Sequence, residues 1–202
     1  TIHETLKDFH RFEMVKKKLS EKDLVELYEK SFLDEGYESK EHRDERFKSG
    51  KIALKKYHSH FEELFGKPWK LEHSFRIDLG GVPLVGMIDR IDDVGDGYEI
   101  VDYKTGSVKK RNQVDRDDQL SIYALAAREA LGIEVKKLSL YFIESNEKVE
   151  TTRDENMLEQ VREQLANIIK QIKESDFQAR PGSPFPCGFC EYKHICPFAV
   201  RG

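Results

Sequence analysis

Residues 86–105 constrain the fold of this 202-residue chain more than any other stretch. Their sequence, G-M-I-D-R-I-D-D-V-G-D-G-Y-E-I-V-D-Y-K-T, holds two runs of strand-forming residues joined by a Gly- and Asp-rich segment, which is typical of a β-hairpin. Asp89 lies on the first predicted strand, and Asp102 and Lys104 lie on the second. Because side chains two apart on a strand point to the same face, Asp102 and Lys104 project together.

The length of the loop between the two strands determines where Asp89 lies. With a two-residue turn, Asp89 faces Lys104 and is diagonal to Asp102. With a four-residue loop, residues 94–97, Asp89 lies directly across from Asp102. Both loops bring the three side chains to one face of the sheet, whereas a three-residue loop would separate them.

Two carboxylates and an ammonium on one sheet face can be no more than charge pairs across a surface hairpin. The flanking residues favour a functional site, because Ile88, Ile100 and Val101 are apolar and K-T-G ends the second strand beside the charges. Two carboxylates at a strand end suit a hard cation such as Mg²⁺ or Mn²⁺. A neighbouring lysine can then stabilise an oxyanion or orient a water.

The hairpin is one part of an ordered set of motifs. G-x-x-D-R-x-D is followed by D-Y-K-T and then by Q-L-S-I-Y. This set resembles the PD-(D/E)XK nuclease superfamily, and within it the RecB-like nuclease domains found at the ends of helicases and in CRISPR-associated exonucleases. The resemblance covers most of the chain. It implies an α/β fold with a restriction-endonuclease-like αβββαβ core, in which a central mixed sheet is flanked by helices, with an added helical region and a Cys-rich C-terminal tail.

The resemblance also implies roles for the matching residues. Asp89 and Asp102, with the main-chain carbonyl of Tyr103, would bind Mg²⁺ or Mn²⁺. Lys104 would polarise the attacking water or stabilise the charge that develops during hydrolysis of a phosphodiester bond. Two further catalytic candidates, four residues apart on one helical face, would line the active site: Gln119 and Tyr123.

A metal-ligating histidine in a G-x-x-x-H-x-x-L helix is another feature of the resembled family. The I-H-E-T-L near the start of the chain fits the second half of this motif, so the resemblance implies that His3 is a metal ligand. His58 and His60 are rivals that are more typical of a helix surface. A Gly-Gly turn would place Glu72 opposite Asp89, where Glu72 is either an extra carboxylate at the metal or an exposed strand residue.

Composition and charge exclude some classes of protein. The chain is 38% hydrophobic and 36% charged, without an apolar run of membrane-spanning length or a secretory signal, and we expect a cytoplasmic protein without a membrane partner. The net charge of −4 gives no global basic signature. A local basic run, Lys109-Lys110-Arg111, either contacts DNA phosphates beside the active site or is a solvated loop.

We expect one RecB-like nuclease domain over residues 1–178, with a helical insertion over residues 18–66 and a Cys-rich tail over residues 179–202. The insertion would form a helical cap or one wall of the substrate channel. The chain starts without a methionine and inside an amphipathic pattern, so we also expect it to be a piece of a longer polypeptide.

All three cysteines of the chain, Cys187, Cys190 and Cys196, lie close together near its end. Their C-x-x-C pair is a thiolate chelate, and three thiolates do not complete a Cys₄ iron–sulfur site. His194 could close a Cys₃His site for Zn²⁺. The resemblance implies instead a [4Fe–4S] cluster in the full-length protein, with the fourth cysteine outside this chain. A disulfide is not expected in a cytosolic protein.

The leading interpretation is a divalent-metal-dependent deoxyribonuclease, an exonuclease acting on single-stranded DNA or DNA ends in repair or recombination. The resemblance implies a helicase as partner or as part of the same polypeptide. The alternative is a catalytically inactive DNA-binding module with the nuclease fold in a helicase complex, which the presence of Asp89, Asp102 and Lys104 together disfavours. A zinc-stapled protein-interaction domain would explain only the tail.

Overall fold

The computed structural model describes residues 1–175, 177–182 and 186–200. Within these residues three helices come before the sheet: α1 (Ile2–Met14), α2 (Glu21–Ser31) and α3 (Lys40–Leu64). The strands are β1 (Lys67–Asp78), β2 (Pro83–Asp93), β3 (Tyr98–Lys104), β4 (Val135–Phe142) and β5 (Glu147–Thr151). The later helices are α4 (Arg111–Val114), α5 (Asp118–Ala126), which continues into a π-helical turn (Ala127–Leu131), and α6 (Glu155–Glu174). None of the helices in this described part is long and apolar enough to span a membrane.

The chain divides into two compact units, Thr1–Gln164 and Leu165–Gly202, so the boundary falls inside α6. The first unit contains the sheet and helices α1–α5. The second contains the rest of α6 and two short 3₁₀ turns, Cys187–Phe189 and Glu191–His194. The predicted Cys-rich tail, residues 179–202, includes residues 183–185 and 201–202, which lie outside the described residues.

The strands form one mixed sheet in the order β1-β2-β3-β4-β5. All neighbours are antiparallel except β3 and β4, which are parallel and are connected through α5. A parallel pair needs such a crossover, because a tight turn cannot return the chain to the same end of the sheet. With α1 before the three meandering strands and α5 after them, the predicted αβββαβ core is confirmed.

The predicted Gly-Gly turn between β1 and β2 has the expected conformation. Gly80 and Gly81 both have positive φ, +65° and +83°, and the N–H of Leu79 donates to the carbonyl of Val82 at 2.9 Å. This is the two-residue turn that a right-twisted hairpin favours, and glycine adopts it without steric strain.

Alternation along β3 separates two environments. Val101 and Tyr103 face α1 and α3, where they join an aromatic core that includes Tyr57, Phe61 and Tyr141. The intervening residues of β3 face the other side of the sheet, where α5 lies. The three meandering strands therefore present a packed core on one side and candidate site residues on the other.

Candidate active site

Strands β2 and β3 bring Asp89 and Asp102 together. The antiparallel ladder pairs Arg90 with Val101, so the next position in the same register places Asp89 opposite Asp102. The loop between the strands comprises residues 94–97, and the register is the one predicted for a four-residue loop. Hairpin geometry alone thus brings two carboxylates to one place near the end of β3.

Lys104 connects this pair to helix α5. Its Nζ lies 2.7 Å from Oδ2 of Asp102 and donates a hydrogen bond to Oε1 of Gln119, also at 2.7 Å. Gln119 in turn donates from Nε2 to the hydroxyl of Tyr123 at 2.7 Å. Four of the predicted site residues therefore form one connected polar chain across β3 and α5.

Burial changes the pKa values of the side chains in and beside this polar network. It raises the pKa of Asp102 to about 6; the ammonium of Lys104 opposes this shift, and the charge of Asp89 adds to it. Burial also raises the pKa of Asp89, against the N–H of Tyr103 and the charge of His3. Burial raises the pKa of Tyr123 to about 12, so its hydroxyl keeps its proton at neutral pH. Two partly desolvated carboxylates side by side favour either a bound cation or a proton between them.

His3 lies at this site, in the first turn of α1, and its role as a metal ligand stays a prediction. Its Nε2 is 2.8 Å from the main-chain carbonyl of Tyr103 and 3.5 Å from Oδ2 of Asp89. A carbonyl can only accept, so this nitrogen carries a hydrogen and two of the expected ligands contact each other. To bind a metal through Nε2, His3 would have to carry its hydrogen on Nδ1 instead and leave the carbonyl.

Both rival histidines lie on α3. His58 donates from Nε2 to the carbonyl of Leu19 at 3.1 Å, and His60 is exposed beside Ser59. Neither contacts the hairpin acids in any hydrogen bond or ion pair of the described residues. His60 thus lies on the helix surface, whereas His58 is half-buried and packs against Phe9 and Phe61.

Glu72 occupies the position opposite Asp89 on β1, because the ladder pairs Leu71 with Arg90 on one side of it. Its backbone has a φ of +43°, an uncommon value for a residue other than glycine. Its carboxylate lies 3.1 Å from Nζ of Lys7, which is one turn after His3 on α1. Burial is the main cause of the raised pKa of Asp89, and the charge of Glu72 adds to it.

The residues present fit a hard divalent cation by their chemistry. Oδ2 of Asp102 is buried and, among the described residues, has no hydrogen-bond partner of acceptable geometry, although the ammonium of Lys104 lies beside it as an ion-pair partner. Asp89, Asp102 and the carbonyl of Tyr103 supply the oxygen donors that Mg²⁺ and Mn²⁺ prefer. Across the described part of the chain, no three His, Cys, Asp or Glu side chains form a preassembled metal centre. Binding would therefore require side-chain adjustment, His3 included.

An unpredicted buried charge lies on the opposite face of the hairpin. Arg90 is fully buried and donates from Nε to Oδ1 of Asp92 at 2.6 Å and from Nη2 to the carbonyl of Gly66 at 3.1 Å. Its Nη1 lies 3.4 Å from the hydroxyl of Tyr103. Burial raises the pKa of Asp92 to about 6, and the Arg90 charge opposes that shift. The alternation in D-R-I-D could have indicated this pair, because it places Arg90 and Asp92 on the face of the strand away from Asp89.

His10 brings α1 into the same network. Its Nε2 lies 2.7 Å from Nη1 of Arg90 and 2.5 Å from the hydroxyl of Tyr57, while its Nδ1 lies 2.5 Å from Oε2 of Glu13. A guanidinium can only donate, so Nε2 accepts and the hydrogen of the neutral ring is on Nδ1. Burial lowers the pKa of His10 well below its usual value, and the Arg90 charge lowers it further. The helix that holds His3 is thereby attached to the residue next to Asp89.

The predicted DNA-contacting run is partly neutralised by neighbouring acids. Nζ of Lys109 lies 2.8 Å from Oδ2 of Asp117, and Nε of Arg111 donates to Oδ1 of Asp115 at 3.0 Å. Lys110 is exposed at the start of α4. The structure thus pairs two of the three cations with acids, and contact of this run with DNA stays a prediction.

The tail cysteines lie in the second compact unit. Cys187, Cys190 and Cys196 are free thiols, and the N–H of Gly182 donates to Sγ of Cys187 at 3.5 Å. Backbone hydrogen bonds from Gly182 and then Val200 lower the pKa of Cys187. Since the described residues hold no ready metal centre, the cluster and the zinc site with His194 both stay predictions.

Known proteins resemble this chain in sequence and, more weakly, in structure. The family model of the PD-(D/E)XK nuclease superfamily matches residues 1–197. Two curated relatives, each named Gene 69 protein, come from Mycobacterium phages L5 and D29. Each is 31% identical over 133 residues, which is 63% of this chain and 44% and 47% of the respective relative. The chain thus matches less than half the length of these relatives.

Among solved structures, a candidate exonuclease from Eubacterium rectale aligns with 86% of this chain and 67% of its own length. The TM-score is 0.49 and the sequence identity is 12%. This likeness is too low to carry an argument about activity.

Proposed function

Because this chain belongs to the PD-(D/E)XK nuclease superfamily, we propose that it cleaves phosphodiester bonds of DNA in a reaction that needs Mg²⁺ or Mn²⁺. The observation that carries the proposal is the arrangement of three groups at the end of β3. Asp89 lies opposite Asp102, and Lys104 contacts Asp102 at 2.7 Å. Two carboxylates that can hold a cation, beside an ammonium that can stabilise an oxyanion, are suited to phosphodiester hydrolysis.

Each residue of the metal set would have a distinct role. Asp89, Asp102 and the carbonyl of Tyr103 would hold the cation, and His3 would join them after leaving that carbonyl. When bound, the cation supplies a Lewis acid that activates water and neutralises charge on the phosphate. The N–H of Tyr103 fixes one oxygen of Asp89, which leaves the other oxygen free to bind.

Lys104 would act on the phosphate or on the attacking water. Its ammonium has three N–H donors, of which one is directed at Gln119 and another lies beside Asp102. The remaining donor can reach a phosphate oxygen or a water. Gln119, oriented by Tyr123, would keep the ammonium in place during the reaction.

We propose further that the substrate is a single-stranded DNA or a DNA end, cut exonucleolytically in repair or recombination, with a helicase as partner or as part of the same polypeptide. The resemblance to RecB-like domains supports this choice. The test compares end-labelled linear single strands with circular single strands in Mn²⁺. An exonuclease degrades the linear strand only, whereas cleavage of the circle would show endonuclease activity.

A DNA-binding module without activity is the second candidate. Two observations favour it: the described residues hold no preassembled metal centre, and His3 is engaged by the Tyr103 carbonyl. The same experiment separates the two functions. Binding of the strand without cleavage in either Mn²⁺ or Mg²⁺ would establish the binding module.

For the tail we propose that Cys187, Cys190 and Cys196 contribute to a [4Fe–4S] cluster. A Cys₄ cluster needs four thiolates and this chain contains three cysteines, so we expect the purified chain to be nearly colourless. Metal analysis and visible absorbance test this. About four irons per chain would contradict our account of the missing ligand, and one zinc per chain would favour the site with His194.

A further inference from the structure

A cleft of about 330 Å³ lies beside the candidate active site, within the first compact unit. It includes His3, and it also includes Thr105, the residue that follows Lys104. Thr105 and Glu144 lie just beyond the ends of β3 and β4, so the cleft is at the carboxyl edge of the parallel strand pair. This edge is where ligands of α/β sheets usually bind.

Aromatic side chains of the helical insertion form one wall of the cleft. Phe32 and Tyr37, which lie between α2 and α3, stack with ring centroids 5.8 Å apart and an interplanar angle of 12°. Tyr37 is half-buried. A flat, partly accessible aromatic surface is what a nucleic-acid base stacks on, and this contact is independent of base identity.

The wall depends on a close approach of α2 and α3. A Cβ at Gly50 would lie 2.1 Å from the hydroxyl oxygen and 2.5 Å from Cζ of Tyr28, so glycine is needed there. Tyr28 is itself buried, and its hydroxyl donates to the carbonyl of Arg46 at 3.4 Å. This hydrogen bond connects the backbone of Arg46 to α2 beside the cleft.

Arg46 supplies a positive charge at the same place. Its Nη2 lies 3.0 Å from Oε1 of Glu144, and the two side chains are 47% and 42% exposed. Ion pairs this exposed contribute little free energy. The guanidinium can therefore leave Glu144 for a phosphate, which it can bind with two parallel hydrogen bonds.

We propose that this cleft binds the base of a nucleotide adjacent to the cleaved phosphate in a single DNA strand, with Tyr37 as the stacking surface and Arg46 as the phosphate contact. The proposal rests on the proposed nuclease function for the identity of the strand. A base inside a duplex is stacked and paired, so it must be freed before it can enter. The cleft therefore gives a physical reason for single-strand preference.

The test measures KM and kcat of the full chain in Mn²⁺ on a labelled single strand. We expect Tyr37→Leu, which keeps apolar volume but loses the ring, to raise KM by about tenfold, and Tyr37→Phe to leave it unchanged. Arg46→Gln should raise KM, whereas Arg43→Gln should not. Arg43 is the matched control because it is on the same helix and is paired with Asp34, but it does not line the cleft.

A DNA strand that lacks one base tests stacking directly. If Tyr37 had only a structural role, the missing base would change KM equally in wild type and in Tyr37→Leu. With wild type, an abasic site at one position next to the cleaved bond should raise KM about as much as Tyr37→Leu does. In Tyr37→Leu the same abasic site should have no further effect. An equal abasic penalty in both proteins, or equal KM values for all variants, would overturn the proposal.

The two proposals fail in different ways. If wild type cleaves DNA and Tyr37→Leu behaves like wild type, the cleft proposal is wrong and the nuclease function stands. If wild type cleaves nothing, fluorescence anisotropy with the same labelled strands decides about the cleft alone. Weaker binding by Tyr37→Leu than by Tyr37→Phe would then support it, and equal binding would refute it.

Discussion

The backbone N–H of Tyr103 donates a hydrogen bond to Oδ2 of Asp89 across the β2–β3 hairpin, at 2.9 Å. The carbonyl of the same residue accepts from Nε2 of His3 at 2.8 Å. One residue of β3, located between Asp102 and Lys104, therefore joins both strands and helix α1. The geometry of the candidate site depends on the register of the hairpin and on the docking of α1.

Removal of Asp102 or Lys104 tests the chemistry directly. We expect Asp102→Ala and Lys104→Ala each to lower kcat for Mn²⁺-dependent cleavage of single-stranded DNA by at least about 100-fold, because each removes a group that acts on the developing charge. Both variants should still unfold cooperatively. Lys137→Ala, a surface change on β4, is the control and should keep wild-type kcat. Wild-type rates in either active-site variant would refute the assignment.

The buried pair of Arg90 and Asp92 gives a prediction about stability. Both side chains are fully buried, so Arg90→Met leaves an unpaired carboxylate in the core and should lower the free energy of unfolding by about 3–5 kcal/mol. The double variant Arg90→Met with Asp92→Leu removes both charges and should be more stable than Arg90→Met alone. Urea unfolding of Arg90→Met, of Asp92→Leu and of the double variant measures the three differences from wild type. A double variant as unstable as the sum of the single variants would show that the pair is not coupled.

His10 should make stability depend on pH. The folded protein keeps this ring neutral, with Arg90, Tyr57 and Glu13 around it, while the unfolded chain protonates it below about pH 6.5. The unfolded state therefore binds more protons, and this residue lowers the free energy of unfolding as pH falls, by up to about 1.4 kcal/mol per pH unit.

The raised pKa values of Asp92 and Asp102 act in the opposite direction, because their folded forms take up protons first as pH falls. The contribution of His10 to the pH dependence of stability is therefore measured by comparing wild type with a variant that lacks this histidine. Between pH 7 and pH 5, wild type should lose more stability than His10→Gln by thermal or urea unfolding. Parallel curves for the two proteins would show that His10 is not held neutral.

Residues close in the sequence gave the most reliable predictions. Strand alternation and the Gly/Asp-rich loop predicted the hairpin. An even number of loop residues limited Asp89 to a position opposite Lys104 or one opposite Asp102, and it lies opposite Asp102. The spacing of Gln119 and Tyr123 predicted a shared helical face, and they contact each other at 2.7 Å. These relations depend on backbone periods of two and 3.6 residues, which a sequence contains directly.

Relations between distant segments could not be predicted in the same way. His10 and Arg90 are eighty residues apart, and nothing local indicates that a histidine on α1 accepts from a buried arginine on β2. The cleft likewise needs α1, the α2–α3 segment and the ends of β3 and β4 to meet. Such contacts depend on how the helices pack on the sheet. The polar and apolar pattern of each helix does not determine this packing.

The last prediction tests the register on which the site depends. Deleting Gly95 shortens the loop of residues 94–97 by one, and it removes a backbone with φ of +93° and its hydrogen bond to Asp93. If pairing follows the shortened loop, one strand turns its side chains to the opposite face. Asp89 and Asp102 would then be separated, and Mn²⁺ affinity measured by calorimetry should fall as far as in Asp89→Ala.

Deleting Gly95 together with Asp96 restores the parity, so the two carboxylates should return to one face and part of the affinity should be recovered. Circular dichroism and cooperative unfolding of both deletions establish that each protein is folded. A folded one-residue deletion that binds Mn²⁺ as tightly as the parent would mean that the two carboxylates do not bind the ion jointly. The candidate metal site would then have to be sought away from this hairpin.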